Sequence, residues 1–128
     1  MEPPFLVMKE SPLRLALDEE PIPDLFVVTG AEGDYDRRHP TQGDAVLVVE
    51  VSDTTVTYDL GEKALLYAEA GITDYWVVLV NEAAIVRHRE PSAEGYQEVV
   101  RLAGADTLSP LAMPEAVWTV SALLGRED

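Results

Sequence analysis

The sequence predicts a mixed α+β fold in which a mostly antiparallel central sheet carries one main helix and a short C-terminal helix. The Val-rich apolar run from Ala45 to Val51 is typical of a strand covered on both faces. The amphipathic segment from about Tyr58 to Ala70 predicts the main helix, and a series of short apolar segments after it predicts a strand meander. At 128 residues, the chain is expected to form one domain spanning residues 1–128.

Three segments before the central strand have strand character. Phe5 to Met8 predicts a short edge strand, and the alternating pattern of Pro12 to Leu17 predicts a half-buried strand. Asp24 to Gly30 is apolar from its second residue and predicts the next strand. The polar stretch 31–43 that follows is long for a connection, and such loops often carry function.

The elements after the main helix follow from turn signals. Gly71 is expected to end the helix at the C′ position. Asp74 to Val80, Ala84 to Arg89 and Tyr96 to Leu102 predict three strands of a meander, with Tyr75 and Trp76 in the core. Ser121 to Gly125 predicts a short final helical turn.

Composition limits the classes of function. The 9 Lys and Arg residues against 24 Asp and Glu give a net charge of −15, so most of the surface should repel DNA. A local basic patch or bound metal ions would be needed to overcome that repulsion. The same acidity keeps a domain in solution.

Several further absences narrow the setting. The chain has no cysteine, which excludes disulfides and thiolate zinc sites and fits a cytoplasmic protein. No apolar run approaches the roughly 20 residues needed to cross a bilayer, and the N-terminus lacks a basic n-region, so neither a membrane span nor a signal peptide is expected.

Glu50 is the one polar residue in the central apolar strand. Burying a carboxylate is costly unless it is paired, so a cation or a metal ion is expected beside it. Asp24 opens the preceding strand, and antiparallel pairing of the two strands would bring Asp24 and Glu50 to one edge of the sheet. Two convergent carboxylates with a free main-chain carbonyl suit Mg²⁺.

Lys63 lies inside the apolar arc of the predicted helix, where a lysine requires a partner. Glu50 is the first candidate, because the helix follows its strand, and Asp59 lies one turn earlier on the same side. The alternative is structural: Glu50 and Lys63 would form a buried salt bridge without chemistry, and Asp24 would cap a turn.

A family resemblance rests on three motifs: Pro23-Asp24, Val49-Glu50-Val51-Ser52, and the run from Asp59-Leu-Gly-Glu-Lys63 to Tyr75-Trp76. Together they resemble the Uma-type endonuclease family of the PD-(D/E)XK, restriction-endonuclease-like superfamily. The likeness extends from about Pro12 to Gly125.

The resemblance implies metal-dependent hydrolysis of DNA phosphodiesters, with Asp24, Glu50 and Lys63 as catalytic residues. Asp24, Glu50 and the carbonyl of Val51 would hold one or two Mg²⁺ ions, or Mn²⁺ in their place. Ser52 stands where the motif has lysine, and Lys63 would take over that role by orienting water or stabilising developing charge. No substrate-binding residue is predicted.

A second interpretation is a catalytically inactive binding or assembly module with the same fold. The chain begins close to the strand before Asp24, so the resemblance implies an N-terminally short member, and in one interpretation a partner supplies the missing elements. A homodimer is expected, because a shortened core should leave an apolar face uncovered. DNA remains a candidate partner, although the overall acidity disfavours it.

Basic and histidine residues give weaker signals. Arg87, His88, Arg89 and Arg101 fall on neighbouring predicted strands and form the best basic patch. Contact with nucleic acid and pairing with the surplus carboxylates are both open for this patch. His39 and His88 are the only histidines, and without cysteine a zinc site is not expected.

Overall fold

The structure, a computed structural model, describes residues 5–15, 19–31 and 33–126. Its strands and helices in chain order are β1 (Phe5–Lys9), β2 (Leu25–Thr29), β3 (Ala45–Ser52), α1 (Val56–Leu60), α2 (Glu62–Glu69), β4 (Asp74–Leu79), β5 (Ala84–Ser92), β6 (Gly95–Ala103), β7 (Thr107–Leu108), β8 (Trp118–Thr119) and α3 (Val120–Leu123).

The strands β1 to β6 form one sheet in sequence order, and β7 pairs with β8 in a separate ribbon. All neighbours in the large sheet are antiparallel except β3 and β4, which run parallel with Glu50 opposite Val77. A parallel pair requires a crossover connection, and α1 and α2 provide it. The predicted mixed α+β fold, with a mostly antiparallel sheet, one main helix and a short C-terminal helix, is confirmed.

The sheet separates two apolar clusters. Tyr67 of α2 packs on one face with Val48 and Tyr75, whereas Leu108 and Val120 pack on the other face near Trp76. Tyr75 and Trp76 are both buried, as predicted. Because successive strand residues point to opposite faces, Glu50 shares the helix side of the sheet with Val48.

The main helix is interrupted at Gly61, which separates α1 from α2. Its backbone angles, φ −108° and ψ −95°, are not helical, and a Cβ atom there would lie 2.8 Å from the carbonyl oxygen of Thr57. The helix also begins at Val56, two residues before the predicted start. The Thr55 side chain does not cap it and bonds to the Asp59 carboxylate instead.

The C-terminus of α2 closes as Gly71 predicted. Gly71 adopts φ +81°, and its amide donates to the carbonyl of Ala68 at 3.0 Å. The amide of Ile72 donates to the carbonyl of Tyr67, also at 3.0 Å, which completes a Schellman motif. This motif fixes the last turn of the helix that carries Tyr67.

The strand predicted for Pro12 to Leu17 is not formed in its described part, residues 12–15; Leu17 lies outside the described residues. The alternation itself is correct, since Leu13 and Leu15 are buried and Arg14 is exposed. The amides of Leu13 and Leu15 donate to carbonyls of the returning segment, at Pro21 and Glu19. Because Pro21 has no amide to return, a regular ladder cannot form here, and only an isolated bridge to Thr41 remains.

A buried ion pair fastens the C-terminal segment to the sheet. Asp74 is fully buried and accepts from Arg89 Nε at 3.0 Å, Trp76 Nε1 at 2.8 Å and the amide of Leu111 at 2.9 Å. Arg89 also donates to the carbonyl of Ser109 at 2.6 Å.

In the described ranges, no helix has the length and apolar character needed to span a membrane.

Candidate metal and catalytic site

Asp24 and Glu50 meet where β2 begins and β3 nears its end. Their strands pair antiparallel with Leu25 opposite Val49, so the predicted convergence of the two residues is confirmed. The Val51 amide donates to Asp24 Oδ2 at 2.7 Å, and the Asp24 amide makes a long contact of 3.4 Å with Glu50 Oε1. The central strand therefore holds Asp24 through its own backbone.

The helix α2 brings two further side chains to Glu50. Lys63 Nζ lies 2.8 Å from Glu50 Oε2, and the Tyr67 hydroxyl donates to the same oxygen at 2.9 Å. These residues are one helical turn apart on one side of α2, which is why both reach one carboxylate. Asp59, the other predicted partner of Lys63, instead accepts from Thr55 Oγ1 at 2.7 Å.

Tyr67 contacts Glu50, although the sequence did not predict it as a residue of the candidate site. An aromatic residue on the apolar face of a helix indicates the core, and Tyr67 is indeed fully buried. Its spacing of four residues from Lys63 was the available signal, because Lys63 was already expected to face Glu50. Tyr58 also approaches the lysine, with its ring centroid 5.9 Å from Lys63 Nζ, within reach of a cation–π interaction.

Burial dominates the electrostatics of Glu50. It raises the pKa of the Glu50 carboxyl, the Lys63 and Tyr67 contacts lower it, and the Asp24 charge raises it further. Burial also raises the pKa of Tyr67 far above its ordinary value, so this hydroxyl stays a neutral donor. With both carboxylates ionised, Asp24, Glu50 and Lys63 together carry one excess negative charge.

Comparison with known proteins assigns the chain to a family. The model of the Uma2 family, described as putative restriction endonuclease, matches residues 2–122. The chain belongs to this family. The match spans the residues on which the resemblance rested.

A solved structure shares the fold of this Uma2 member. It is described as a putative nuclease belonging to DUF820 from Anabaena variabilis, and it superposes with a TM-score of 0.68 at 15% sequence identity. The likeness covers 95% of this chain and 69% of the other, and at that identity it shows the fold alone. No curated protein matches the chain.

The donor chemistry of the Uma2 site fits a hard divalent cation. Mg²⁺ is commonly held by one or two carboxylates and keeps several of its waters. Asp24 and Glu50 supply two adjacent carboxylates, and the carbonyl of Val51 follows directly in the chain. Within residues 5–15, 19–31 and 33–126, no three His, Asp or Glu side chains are grouped to hold a metal.

A buried serine occupies the position at which the resemblance would place a lysine. Ser52 is 1% exposed, and its Oγ has no hydrogen-bond partner in the described part of the chain. It lies on the same side of β3 as Glu50, two residues further along. The positive charge beside Glu50 comes from Lys63 instead, as the helix position of that lysine predicted.

The predicted basic patch is largely neutralised by acidic partners. Arg87 pairs with Glu98 and Arg101 with Glu82, each at 2.8 Å, and Arg89 pairs with Asp74. His88 is buried with Nδ1 at 3.1 Å from the Tyr75 carbonyl. His39 pairs with Glu20 at 2.8 Å. These contacts favour the pairing interpretation of the patch over a nucleic-acid surface.

Proposed function

We propose that this Uma2 member is a Mg²⁺-dependent endonuclease of the PD-(D/E)XK type that hydrolyses phosphodiester bonds of DNA, working as a single domain over residues 1–128. One observation carries the proposal: Lys63 on α2 contacts Glu50, and Asp24, directly before β2, contacts Glu50 and the amide of Val51. Two carboxylates beside one ammonium group form a compact set of hard-oxygen ligands with a positive charge next to it. The family description supports the assignment to nucleases.

The residues of the site have separate roles in the proposed reaction. Asp24, Glu50 and the carbonyl of Val51 would hold the cation, for which Mn²⁺ is the expected substitute. A divalent cation held there supplies Lewis acidity, which lowers the pKa of water and offsets the charge of a phosphodiester. Lys63 has three N–H donors and uses one on Glu50, so the others are available to orient water or to stabilise charge developing on the phosphate.

The acidity of the chain makes local positive charge essential for DNA contact. With a net charge of −15, the surface as a whole repels phosphate. Arg87, Arg89 and Arg101 are already paired with carboxylates. Lys63 together with a bound cation is therefore the proposed point of attraction for the scissile phosphate.

The same acidity and paired arginines favour a second candidate, a non-catalytic binding or assembly module that keeps the fold. The two functions differ in turnover. The module would lack cleavage under every metal condition, whereas the nuclease would cut only when a divalent cation is present.

Plasmid cleavage tests the proposed function. Supercoiled DNA is incubated with Mg²⁺, Mn²⁺ or a chelator and with wild type, Glu50→Gln or Glu62→Gln. Glu62 is an exposed carboxylate on α2, next to Lys63 in sequence, and serves as the matched control. We expect metal-dependent nicking by wild type and Glu62→Gln, and a loss of roughly 100-fold or more in Glu50→Gln, since even indirect metal contacts are worth about 10- to 100-fold.

Two results would contradict the nuclease assignment. Equal nicking by Glu50→Gln and wild type would place the cleavage outside this site. Absence of nicking by wild type with either metal would favour the non-catalytic module.

A further inference from the structure

In each of the two carboxylates of the site, the short contacts with other described residues fall on one oxygen. Glu50 Oε2 accepts from Lys63 at 2.8 Å and from Tyr67 at 2.9 Å, and Asp24 Oδ2 accepts from the Val51 amide at 2.7 Å. Within the described part of the chain, the contact of Glu50 Oε1 is the long one of 3.4 Å with the Asp24 amide. Asp24 Oδ1 takes no part in the contact with the Val51 amide.

We propose that Tyr67 is a positioning residue of the metal site: its hydroxyl fixes Glu50 Oε2, so that Oε1 and Asp24 Oδ1 together form the metal-binding edge. This inference rests on the proposed function, because it assigns a role to Tyr67 towards the same cation. The resemblance implies roles for Asp24, Glu50 and Lys63 only, and the inference adds a role for Tyr67 and a division of work between the two oxygens of each carboxylate.

The position of the Tyr67 hydroxyl is set independently of Glu50. The ring is fully buried and packs on Tyr75 with centroids 4.9 Å apart. Tyr75 is itself anchored, since its hydroxyl donates to the Asp59 carbonyl at 2.9 Å. The Schellman closure at Gly71 holds the Tyr67 backbone. A rigid donor of this kind orients a carboxylate at little entropic cost.

Tyr67 suits this role better than Lys63 does when a cation is present. A divalent cation a few ångströms from Lys63 repels its ammonium group and weakens the lysine's hold on Oε2. The neutral Tyr67 hydroxyl is not repelled in this way. Tyr67 would therefore keep Glu50 oriented while Lys63 turns its donors towards substrate.

Calorimetric titration of Mn²⁺ into wild type, Tyr67→Phe, Tyr96→Phe and Glu50→Gln tests the inference. Tyr96 is the matched control, because its hydroxyl donates to the Ile72 carbonyl at 2.7 Å and its ring belongs to the same aromatic cluster without touching Glu50. We expect the Kd for Mn²⁺ to rise about 10-fold in Tyr67→Phe, as for loss of an outer contact to a metal ligand. Tyr96→Phe should bind like wild type.

The outcomes separate the two proposals. If wild type binds Mn²⁺, Glu50→Gln does not, and Tyr67→Phe binds as tightly as wild type, the inference about Tyr67 is overturned and the proposed metal site stands. If wild type does not bind, or Glu50→Gln binds as tightly as wild type, both proposals fail.

A measurement on wild type keeps the inference testable if Tyr67→Phe does not fold. With tyrosine labelled by ¹³C at Cζ, addition of Mg²⁺ should shift the Tyr67 signal, because its hydroxyl bonds to the ligating carboxylate, and leave the Tyr96 signal in place. An unmoved Tyr67 signal at saturating Mg²⁺ would overturn the role assigned to it.

Discussion

At the scale of single residues, the contacts of the buried Glu50 carboxylate fix its orientation. Desolvation of its carboxylate is the largest influence on its pKa, and the Lys63 and Tyr67 contacts offset it only in part. A buried ion pair is on its own a weak reason for stability, because the desolvation of two charges opposes their attraction. What the contacts define is orientation, since they hold one oxygen of Glu50 and leave the other facing Asp24.

His88 gives a pH prediction at this scale. It is 3% exposed and packs beside the rings of Tyr75 and Tyr96, and burial lowers its pKa below 6.5. The unfolded chain therefore takes up this proton first as the pH falls. The stability contributed by neutral His88 is complete above 6.5 and is lost as the pH falls from 6.5 towards the lower pKa of the folded state.

Denaturant unfolding at about pH 7.5 and about pH 5.5 measures this effect. Wild type should lose more stability over the interval than His88→Gln, which has no proton to gain. An equal loss in both proteins would show that other groups govern the acid sensitivity.

The approach of Asp24, Glu50 and Lys63 was predictable from the order of the strands and the periodicity of the helix. Antiparallel pairing places the start of one strand beside the end of the next, and the 3.6-residue turn places Lys63 towards the sheet. The hydrogen bond from Tyr67 to Glu50 was not predictable in the same way. Hydrophobic periodicity places its ring in the core and says nothing of where the hydroxyl points.

At the scale of elements, the hydrophobic pattern predicted the main helix but not its break at Gly61. The amphipathic run predicted one helix, because an isolated glycine inside such a pattern is usually tolerated. In the structure, the backbone at that glycine is not helical, and α1 and α2 are separate helices. A side chain at this position would lie against the Thr57 carbonyl, which no local pattern encodes.

Gly61→Ala tests this interpretation of the break. Helix propensity alone predicts a gain of about 1 kcal/mol from this change. The structure predicts the opposite sign, a loss of roughly 1–3 kcal/mol as in other overpacked sites, because the added Cβ would lie 2.8 Å from a backbone oxygen.

Gly43→Ala is the control for denaturant unfolding of Gly61→Ala. A Cβ at Gly43 meets only Thr41 Oγ1 at 3.8 Å, an ordinary contact, so its stability should stay close to wild type. A Gly61→Ala protein more stable than wild type would show that the two helices merge into one at no cost.

In the segment after β1, the side chains alternate in burial although the backbone does not form a strand. Alternation of Leu13, Arg14 and Leu15 correctly predicted which side chains are buried. It wrongly predicted a strand, because the backbone bonds run to the returning segment at Glu19 and Pro21. Side-chain pattern reports burial, whereas strand pairing also depends on where the partner's amides lie.

At the scale of the whole molecule, the two faces of the sheet have different tasks. One face carries the helices with Glu50, Lys63 and Tyr67. The other is closed by the C-terminal segment, fastened through the Asp74–Arg89 pair. The fold class was predictable because long periodic segments dominate the chain. The parallel pairing of β3 with β4 was not, because it depends on how the helices between these strands cross over the sheet.

The opposite face also bears on the predicted homodimer. Val7 and Val51 are about half exposed, at 54% and 52%, and their strand registers place them on the face away from the helices. Apolar exposure of this kind is compatible with a subunit contact. The homodimer stays a prediction.

We propose that Lys63 on α2 forms one metal-dependent hydrolytic site with the carboxylates of Asp24 and Glu50. The rate of plasmid nicking by Lys63→Met at saturating Mg²⁺, compared with wild type, tests this proposal. Methionine keeps most of the side-chain volume and removes the charge.

We expect nicking by Lys63→Met to fall by about 100-fold or more, as when a single donor that stabilises developing charge is removed. Metal binding should be retained or tightened, because the variant no longer places a positive charge beside the cation. Lys63→Met that nicks DNA at the wild-type rate would contradict the claim and leave the Glu50–Lys63 contact as a structural ion pair.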